Sequence, residues 1–337
     1  VAFESDKNRA SQIKELNKLG IGVENISNNE DMRNSLLVQE IYKYLFISGF
    51  VDVEKNKIYL DLSKMARLVT IADLKQRLYV FPERKKEAVL STIYEISSTE
   101  TRTILNGGGK FSINIPGFPG QTFYPLFVHL CFSNSYDGKY SGPKNIVTGV
   151  NTYPRWLVDN ILLAETLGNR GDYNSYLYNL VSDTKGKKID RKNNNLLSVL
   201  DIEEIIRRNY IIRKPEDQEW LNKHVPSIFR YFLVSQLKSS KDKTRIDLDT
   251  VKKSFGLIKK VEWLYKVFGK DNSYIKGDIT FYTEMVNALK HGAFRMCLLR
   301  CQDEIYDIAG NVQRKEFYAG DSMRFDSAYR ILKLILP

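Results

Sequence analysis

Residues 105–112 read LNGGGKFS and combine three glycines with a lysine, the residue types of a phosphate-binding loop. Such a loop needs the pattern G-x-x-x-x-G-K-[ST] at a strand-to-helix turn. Ile104 stands where the first glycine belongs, and Phe111 stands where a hydroxyl residue should follow Lys110. The next residues alternate as in a strand, so no helix N-terminus supplies amide groups for a phosphate. The stretch therefore predicts a β-hairpin near 101–115 and excludes a P-loop NTPase.

Histidine and cysteine occur in two short groups. One contains His129 and Cys131, and the other contains His291, Cys297 and Cys301. A structural zinc site usually shows two tight ligand pairs, and the H-x-C spacing of the first group makes its side chains diverge. All five residues lie in apolar sequence, where a free cysteine packs as a small hydrophobe. We therefore predict no metal and no other cofactor, and the odd number of cysteines indicates a reducing compartment, the cytoplasm.

Three clustered carboxylates, Asp201, Glu203 and Glu204, have the residue type that a metal-dependent nuclease needs. They are followed by Arg207 and Arg208, so the stretch also matches a helix with an acidic first turn and a basic last turn. That order suits the helix dipole and needs no metal. We assign no catalytic residue and expect a non-enzymatic protein, with a nucleic-acid-processing enzyme as the alternative.

Basic residues carry the strongest functional signal. Lys and Arg number 51 against 40 Asp and Glu, which gives a formal net charge of +11, and most of the excess lies in residues 151–337. This asymmetry favours a polyanionic partner, nucleic acid before membrane. No apolar run approaches the roughly 20 residues of a membrane helix. The candidate phosphate-binding residues are Arg155, Lys185, Lys187, Lys188, Arg191, Lys192, Arg207, Arg208, Lys252, Lys253, Lys259, Lys260, Lys266, Arg295 and Arg300.

Two patterns stand out among these candidates. The loop 185–192 is dense in basic residues, and the helix predicted over 247–268 carries lysines at intervals of seven, about two turns, so they share one face. A lysine stripe of this kind is often only the solvated face of a helix. An arginine in apolar sequence has an internal salt bridge as its alternative fate. The two lysine series are Lys252, Lys259 and Lys266, and Lys253 and Lys260.

Aromatic residues lie next to the basic segments, as in proteins that hold single-stranded nucleic acid on stacking platforms. The stacking candidates are Tyr153, Trp156, Tyr173 and Tyr176. Tyrosines that fill the core between elements are the alternative interpretation.

The elements that position these residues are mostly helices. Periodicity predicts helices at about 153–168, 172–183, 198–210, 216–238, 247–268, 279–308 and 321–335. Alternation in KNKIYLDLS predicts a short strand within residues 55–63. We expect a mainly α, two-lobed protein, with an N-terminal lobe over 1–140 that contains the hairpin and a basic C-terminal lobe over 150–337. The Ser-, Gly- and Asn-rich stretch 133–150 separates them.

No motif matches a family residue by residue. By analogy of fold class, a two-lobed, basic, mainly helical chain is similar to the nucleoproteins of negative-strand RNA viruses. The resemblance implies a protein that coats single-stranded RNA in a basic groove between lobes and forms homo-oligomers through its terminal segments and the hairpin. A DNA-binding replication or partition protein is a further alternative.

Overall fold

The computed structural model describes residues 10, 13, 14 and 17 and the ranges 32–107, 112–134, 144–149, 153–178, 181–189, 199–237, 244–268, 279–316 and 318–336. The chain forms two compact units. One is Asn25–Tyr178, and the other combines Val1–Glu24 with Asn179–Pro337. The units therefore divide after Tyr178, whereas the sequence predicted a division within 133–150. The mainly α fold class is confirmed.

The unit Asn25–Tyr178 combines helices with two small sheets. Strands β1, β2 and β4 form an antiparallel sheet, and β3, β6 and β5 form a parallel sheet in that order. Its elements are α1 (Met32–Ile47), β1 (Val51–Glu54), β2 (Lys57–Asp61), α2 (Leu62–Arg67), α3 (Ile71–Arg77), β3 (Leu78–Phe81), α4 (Lys86–Ser98), β4 (Arg102–Ile104), α5 (Pro125–Asn134), β5 (Lys144–Gly149), α6 (Arg155–Thr166) and β6 (Tyr173–Tyr178).

The predicted strand within 55–63 is confirmed as β2, but the predicted hairpin near 101–115 does not form as expected. Its first arm, β4, pairs antiparallel with β2. Its second arm instead bridges to the segment that follows it, with Asn114 opposite Thr122. Ile113 is buried in the core, which draws this arm away from β4. The predicted glycine tip lies outside the described residues.

The parallel sheet corrects the helix predicted over 172–183. Central strand β6 pairs with β3 from Leu78 opposite Tyr173 and with β5 from Lys144 opposite Tyr173. Tyr173 and Leu177 are fully buried on the side of the sheet that faces the core. A strand between two parallel neighbours is covered on both edges, so pairing with distant segments outweighs a local helical pattern.

The second unit is a set of packed helices with one short parallel strand pair, β7 with β8. Its elements are β7 (Val181–Ser182), α7 (Val199–Asn209), α8 (Pro215–Gln236), β8 (Thr244–Arg245), α9 (Asp249–Phe268), α10 (Ile279–Lys290), α11 (Phe294–Arg314) and α12 (Ala319–Ile335). These helices match the prediction except that 279–308 is two helices. Gly292 separates them with a φ of +77°, a backbone conformation that favours glycine at a helix end.

Two clusters of apolar side chains stabilise this unit. Cys297, Cys301 and Ile305 of α11 pack with Ile331 of α12, all of them fully buried. Within the described ranges, no three His, Cys, Asp or Glu side chains come close enough to hold a metal ion. None of the described helices has the length and apolar character needed to cross a bilayer.

Candidate nucleic-acid interface

Helix α9 has two distinct sides. Val251, Leu257 and Leu264 are buried against the rest of the unit. The opposite side is exposed and combines lysines with one indole ring. Its members are Lys252, Lys253, Lys259, Trp263 and Lys266. We call these five residues the α9 face.

The α9 face is not neutralised by neighbouring acids. Lys252 has one weak ion pair, with its Nζ 3.7 Å from Asp249 Oδ1, and its side chain is 62% exposed. Among the described residues, no carboxylate pairs with Lys253, Lys259 or Lys266. Positive charge that is not paired within the protein is available to an anionic partner.

Aromatic rings hold two of the α9 lysines. Lys259 Nζ lies 4.8 Å from the centre of the Tyr210 ring and 5.1 Å from that of Trp220. Lys260 Nζ lies 5.1 Å from the centre of the Tyr306 ring. A cation–π contact restricts an ammonium group without removing its charge. The ammonium groups of Lys259, on the α9 face, and of Lys260, beside it, are therefore held in place and keep their charge.

The contact of Tyr306 depends on a glycine in α9. A Cβ atom at Gly256 would lie 2.8 Å from the Tyr306 hydroxyl oxygen. That separation is shorter than van der Waals contact, so a side chain at position 256 would force the Tyr306 hydroxyl to move.

A polar cluster lies beneath Lys259. The Trp220 ring stacks on Tyr210 with centres 5.2 Å apart and an angle of 15°. Trp220 Nε1 donates a hydrogen bond of 2.5 Å to Glu262 Oε2, and His224 Nε2 lies 2.9 Å from Glu262 Oε1. Burial raises the pKa of the Glu262 carboxyl, but hydrogen bonding by Trp220 and the interaction with His224 outweigh it, so this pKa is lowered. Glu262 is therefore an ionised acceptor at neutral pH.

The predicted basic loop is only partly described. Asp183 Oδ1 accepts hydrogen bonds from the amides of Lys185 and Lys187, at 2.9 and 2.7 Å. This turn exposes the side chains of Lys185, Lys187 and Lys188. Arg191 and Lys192 lie outside the described residues.

Most of the predicted arginines have partners inside the protein. Arg207 Nη2 lies 2.7 Å from Glu203 Oε1, and Arg208 forms the equivalent pair with Glu204. Two of the three proposed metal-binding carboxylates are therefore used in ion pairs along α7. Arg295 Nε donates a hydrogen bond of 2.9 Å to the Ser235 carbonyl.

Arg155 and Arg300 are the two other candidate arginines that the structure describes. Arg155 lies in the other unit, where its Nε is 2.8 Å from Asp159 Oδ1. Arg300 is exposed and forms no ion pair with a described residue.

The four predicted stacking residues lie in the unit Asn25–Tyr178 and serve its packing. Tyr173 is fully buried and donates a hydrogen bond of 2.9 Å to Glu165 Oε1. Tyr176 is 9% exposed, Tyr153 donates to the Lys85 carbonyl, and Trp156 packs on the core. Tyr173 therefore offers no open ring face to a base.

Sequence reasoning missed the aromatic residues that do accompany the lysines. Trp263 is four residues after Lys259 and three before Lys266, so the helical spacing that identified the lysines also places Trp263 on their face. No local pattern identifies Tyr210, Trp220 or Tyr306, because each reaches α9 from another part of the chain.

Comparison with known proteins shows the fold. No family model and no curated protein sequence matches the chain. Among solved structures, Mycobacterium tuberculosis methionyl-tRNA synthetase bound by methionyl-adenylate is similar, with a TM-score of 0.66 and 11% identity over 98% of this chain and 76% of that chain. A second complex with methionyl-adenylate gives 0.64 and 12% over the same shares. The free enzyme gives 0.60 and 10% over 97% and 75%.

This likeness overturns the functional prediction made from the sequence. A viral nucleoprotein-like protein that coats single-stranded RNA is contradicted, because the similar structures are synthetases. The prediction of a non-enzymatic protein is contradicted by the same comparison. The error arose because helical content and charge describe many folds, and fold-level analogy does not establish function.

Proposed function

We propose that this chain is an enzyme of the aminoacyl-tRNA synthetase type, which joins an amino acid to AMP and transfers it to tRNA. The observation that carries the proposal is the similarity to methionyl-tRNA synthetase over 98% of the chain. The nucleotide-bound state of that synthetase, with methionyl-adenylate, makes methionine and ATP the first substrates to test.

The parallel sheet supplies a place for the small substrates. Strands β3, β6 and β5 run in the same direction, so Phe81, Tyr178 and Gly149 end at one edge. Open parallel sheets bind ligands outside the carboxyl ends of their strands. Helix α6 begins soon after β5, and its N-terminal amides favour a phosphate group.

The RNA would be held by the unit that contains α9. The exposed α9 face and the basic turn at Lys185, Lys187 and Lys188 present lysines without burying them. Lysines that contact phosphates release counterions and make the affinity depend on salt. Trp263, 36% exposed among these lysines, offers a ring for an unpaired base.

The catalytic test is amino-acid-dependent exchange of pyrophosphate into ATP, with each of the standard amino acids and with tRNA present. We expect exchange that depends on one amino acid, followed by its transfer to tRNA. Arg155→Gln removes the charge at the start of α6 and should slow exchange more than Arg300→Gln, which is the matched control. Absence of exchange with every amino acid, in a folded protein with tRNA present, would refute the proposal.

The RNA test compares two sets of substitutions. Replacing Lys185, Lys187 and Lys188 with glutamine should flatten the dependence of log affinity on log salt by about one unit for each phosphate that is no longer neutralised. Replacing Lys43, Lys57 and Lys75 in the other unit is the control. Equal slopes in both variants would remove the basic turn from the interface.

Self-association and the cytoplasmic location stay predictions.

A further inference from the structure

Three basic side chains border the polar cluster beneath Lys259. Lys223 Nζ lies 3.4 Å from Glu262 Oε1, and His224 Nε2 lies 2.9 Å from the same oxygen. Lys259 approaches from α9, over the ring of Trp220. Lys223 is 69% exposed, and Lys259 is exposed as well.

The aromatic rings of this cluster are already in use. Tyr210 stacks on Trp220, and the His224 ring lies 4.7 Å from the indole centre. A base would need an open face on the indole, and its neighbours occupy that space. The cluster therefore suits a compact anion better than a base, and a backbone phosphate is the anion that RNA supplies.

Glu262 fixes the hydrogen on His224. An ionised carboxylate only accepts hydrogen bonds, so His224 Nε2 must carry the hydrogen in this contact. A proton taken up from solvent then adds at Nδ1. Desolvation lowers the pKa of His224. The nearby Glu262 carboxylate opposes this, but the pKa of His224 remains lowered. The imidazole is consequently neutral in the free protein at pH 7.

The charges that face His224 come from each neighbouring helix. Helix α9 contributes Glu262 and Lys259, α8 contributes Lys223, and Tyr210, the residue that follows α7, contributes its uncharged ring. Asp217 also interacts electrostatically with Lys259. Its carboxylate accepts hydrogen bonds from the backbone amides of Arg213 and Lys214. Three lysines, Lys223, Lys259 and Lys214, stand against the two carboxylates of Glu262 and Asp217 and leave the cluster positive, and an added phosphate would favour protonated His224.

We propose that Lys223, His224 and Lys259 bind one phosphate group of the RNA backbone, and that His224 takes up a solvent proton as the phosphate binds. This site rests on the proposed function, because it requires RNA as a partner. It adds a specific contact and a pH dependence that the lysines of the α9 face do not give by themselves.

The first experiment measures tRNA affinity against salt for the full chain and for Lys259→Gln. We expect the slope of log affinity against log salt to fall by about 0.9 for the one phosphate contact. Lys43→Gln, in α1 of the other unit, is the control. An unchanged slope in Lys259→Gln, with tRNA still bound, would overturn the phosphate site while leaving the proposed function intact. A wild-type chain that binds no tRNA would overturn both.

The second experiment measures tRNA affinity against pH for the full chain and for His224→Gln. Glutamine keeps a hydrogen-bond donor for Glu262 but cannot take up a proton. The parent should bind up to about tenfold more tightly per unit fall in pH through the titration, because one proton is linked to binding. His224→Gln should lose this dependence. Persistence of the dependence in a folded His224→Gln would overturn the linkage.

A spectroscopic measurement separates binding from structure. Because the imidazole lies against Trp220, its protonation should change the indole fluorescence. Bound tRNA should move the midpoint of this pH-dependent fluorescence change to higher pH. Trp220→Phe leaves Trp156 and Trp263 in place and should abolish that signal. A midpoint that tRNA does not move would also contradict proton uptake.

Discussion

Asp159→Asn should stabilise the protein at alkaline pH. Asp159 is buried in α6, with a side chain only 4% exposed. Arg155 Nε lies 2.8 Å from its Oδ1, but the contact is not aligned as a hydrogen bond, and Oδ1 has no hydrogen-bond partner among the described residues. Burial therefore raises the pKa of Asp159 from 3.8 to about 6, although the charge of Arg155 opposes the rise.

The sign and size of the effect follow from this shift. The folded state favours the protonated acid, so the stabilisation is fully present below the unfolded pKa and is lost as pH rises through 6. A rise of about two pKa units corresponds to about 3 kcal/mol. Asparagine has the shape of the protonated acid and does not ionise. The variant should match the parent near pH 4 and exceed its free energy of unfolding at pH 8 by up to about 3 kcal/mol.

Urea unfolding of both proteins across this pH range measures the difference. Asp73→Asn in the same unit is the control, because the hydrogen bond from Arg77 lowers the pKa of Asp73. That variant should lose stability at neutral pH and match the parent in acid, the opposite pattern. An Asp159→Asn variant that is less stable than the parent at pH 8 would refute the reasoning, since it would show that the ion pair with Arg155 outweighs burial.

Two further predictions concern packing. Tyr173→Phe should lower the free energy of unfolding by about 1–3 kcal/mol, because Glu165 loses a buried hydrogen-bond donor. Thermal melting checks this, and an unchanged melting temperature would show that this hydrogen bond does not stabilise the unit. Gly256→Ala should change stability little, because the gain of about 1 kcal/mol in helix propensity is offset by the clash with the Tyr306 hydroxyl. Adding Tyr306→Phe should restore the gain in urea unfolding, and a double variant no more stable than Gly256→Ala would contradict the clash.

The helices of the unit that contains α9 could be predicted from the sequence because their information is local. In α9 the buried Val251, Leu257 and Leu264 and the exposed Lys252 and Lys259 repeat with the helical period, so one pattern identifies both the element and its solvent face. The same pattern did not reveal the break at Gly292. Apolar residues continue on both sides of it, and the positive φ that marks a helix end is visible only in the structure.

Strand β6 shows where local information ends. Its residues YNSYLY contain no clean alternation, and the sequence analysis places them in a helix predicted over 172–183. What makes the segment a strand is its pairing with β3 on one side and β5 on the other. Leu78 and Tyr173 are register partners although they lie far apart in the chain. Parallel pairing of this kind is specified by the whole unit and by no short motif.

The charge pattern and the fold therefore carry different information about function. Lysines on the surface of α9 indicate an anionic partner, and that inference needs no knowledge of the fold. The proposed enzymatic function rests on the fold, which includes a parallel sheet whose strands come from distant parts of the chain and place their carboxyl ends at one edge. A sequence in which β6 is interpreted as helical has no such edge, so the remaining features match a helical nucleic-acid-coating protein. Correcting that one element restores the parallel sheet, and the likeness of the whole fold to solved synthetase structures is what overturns the coat-protein prediction.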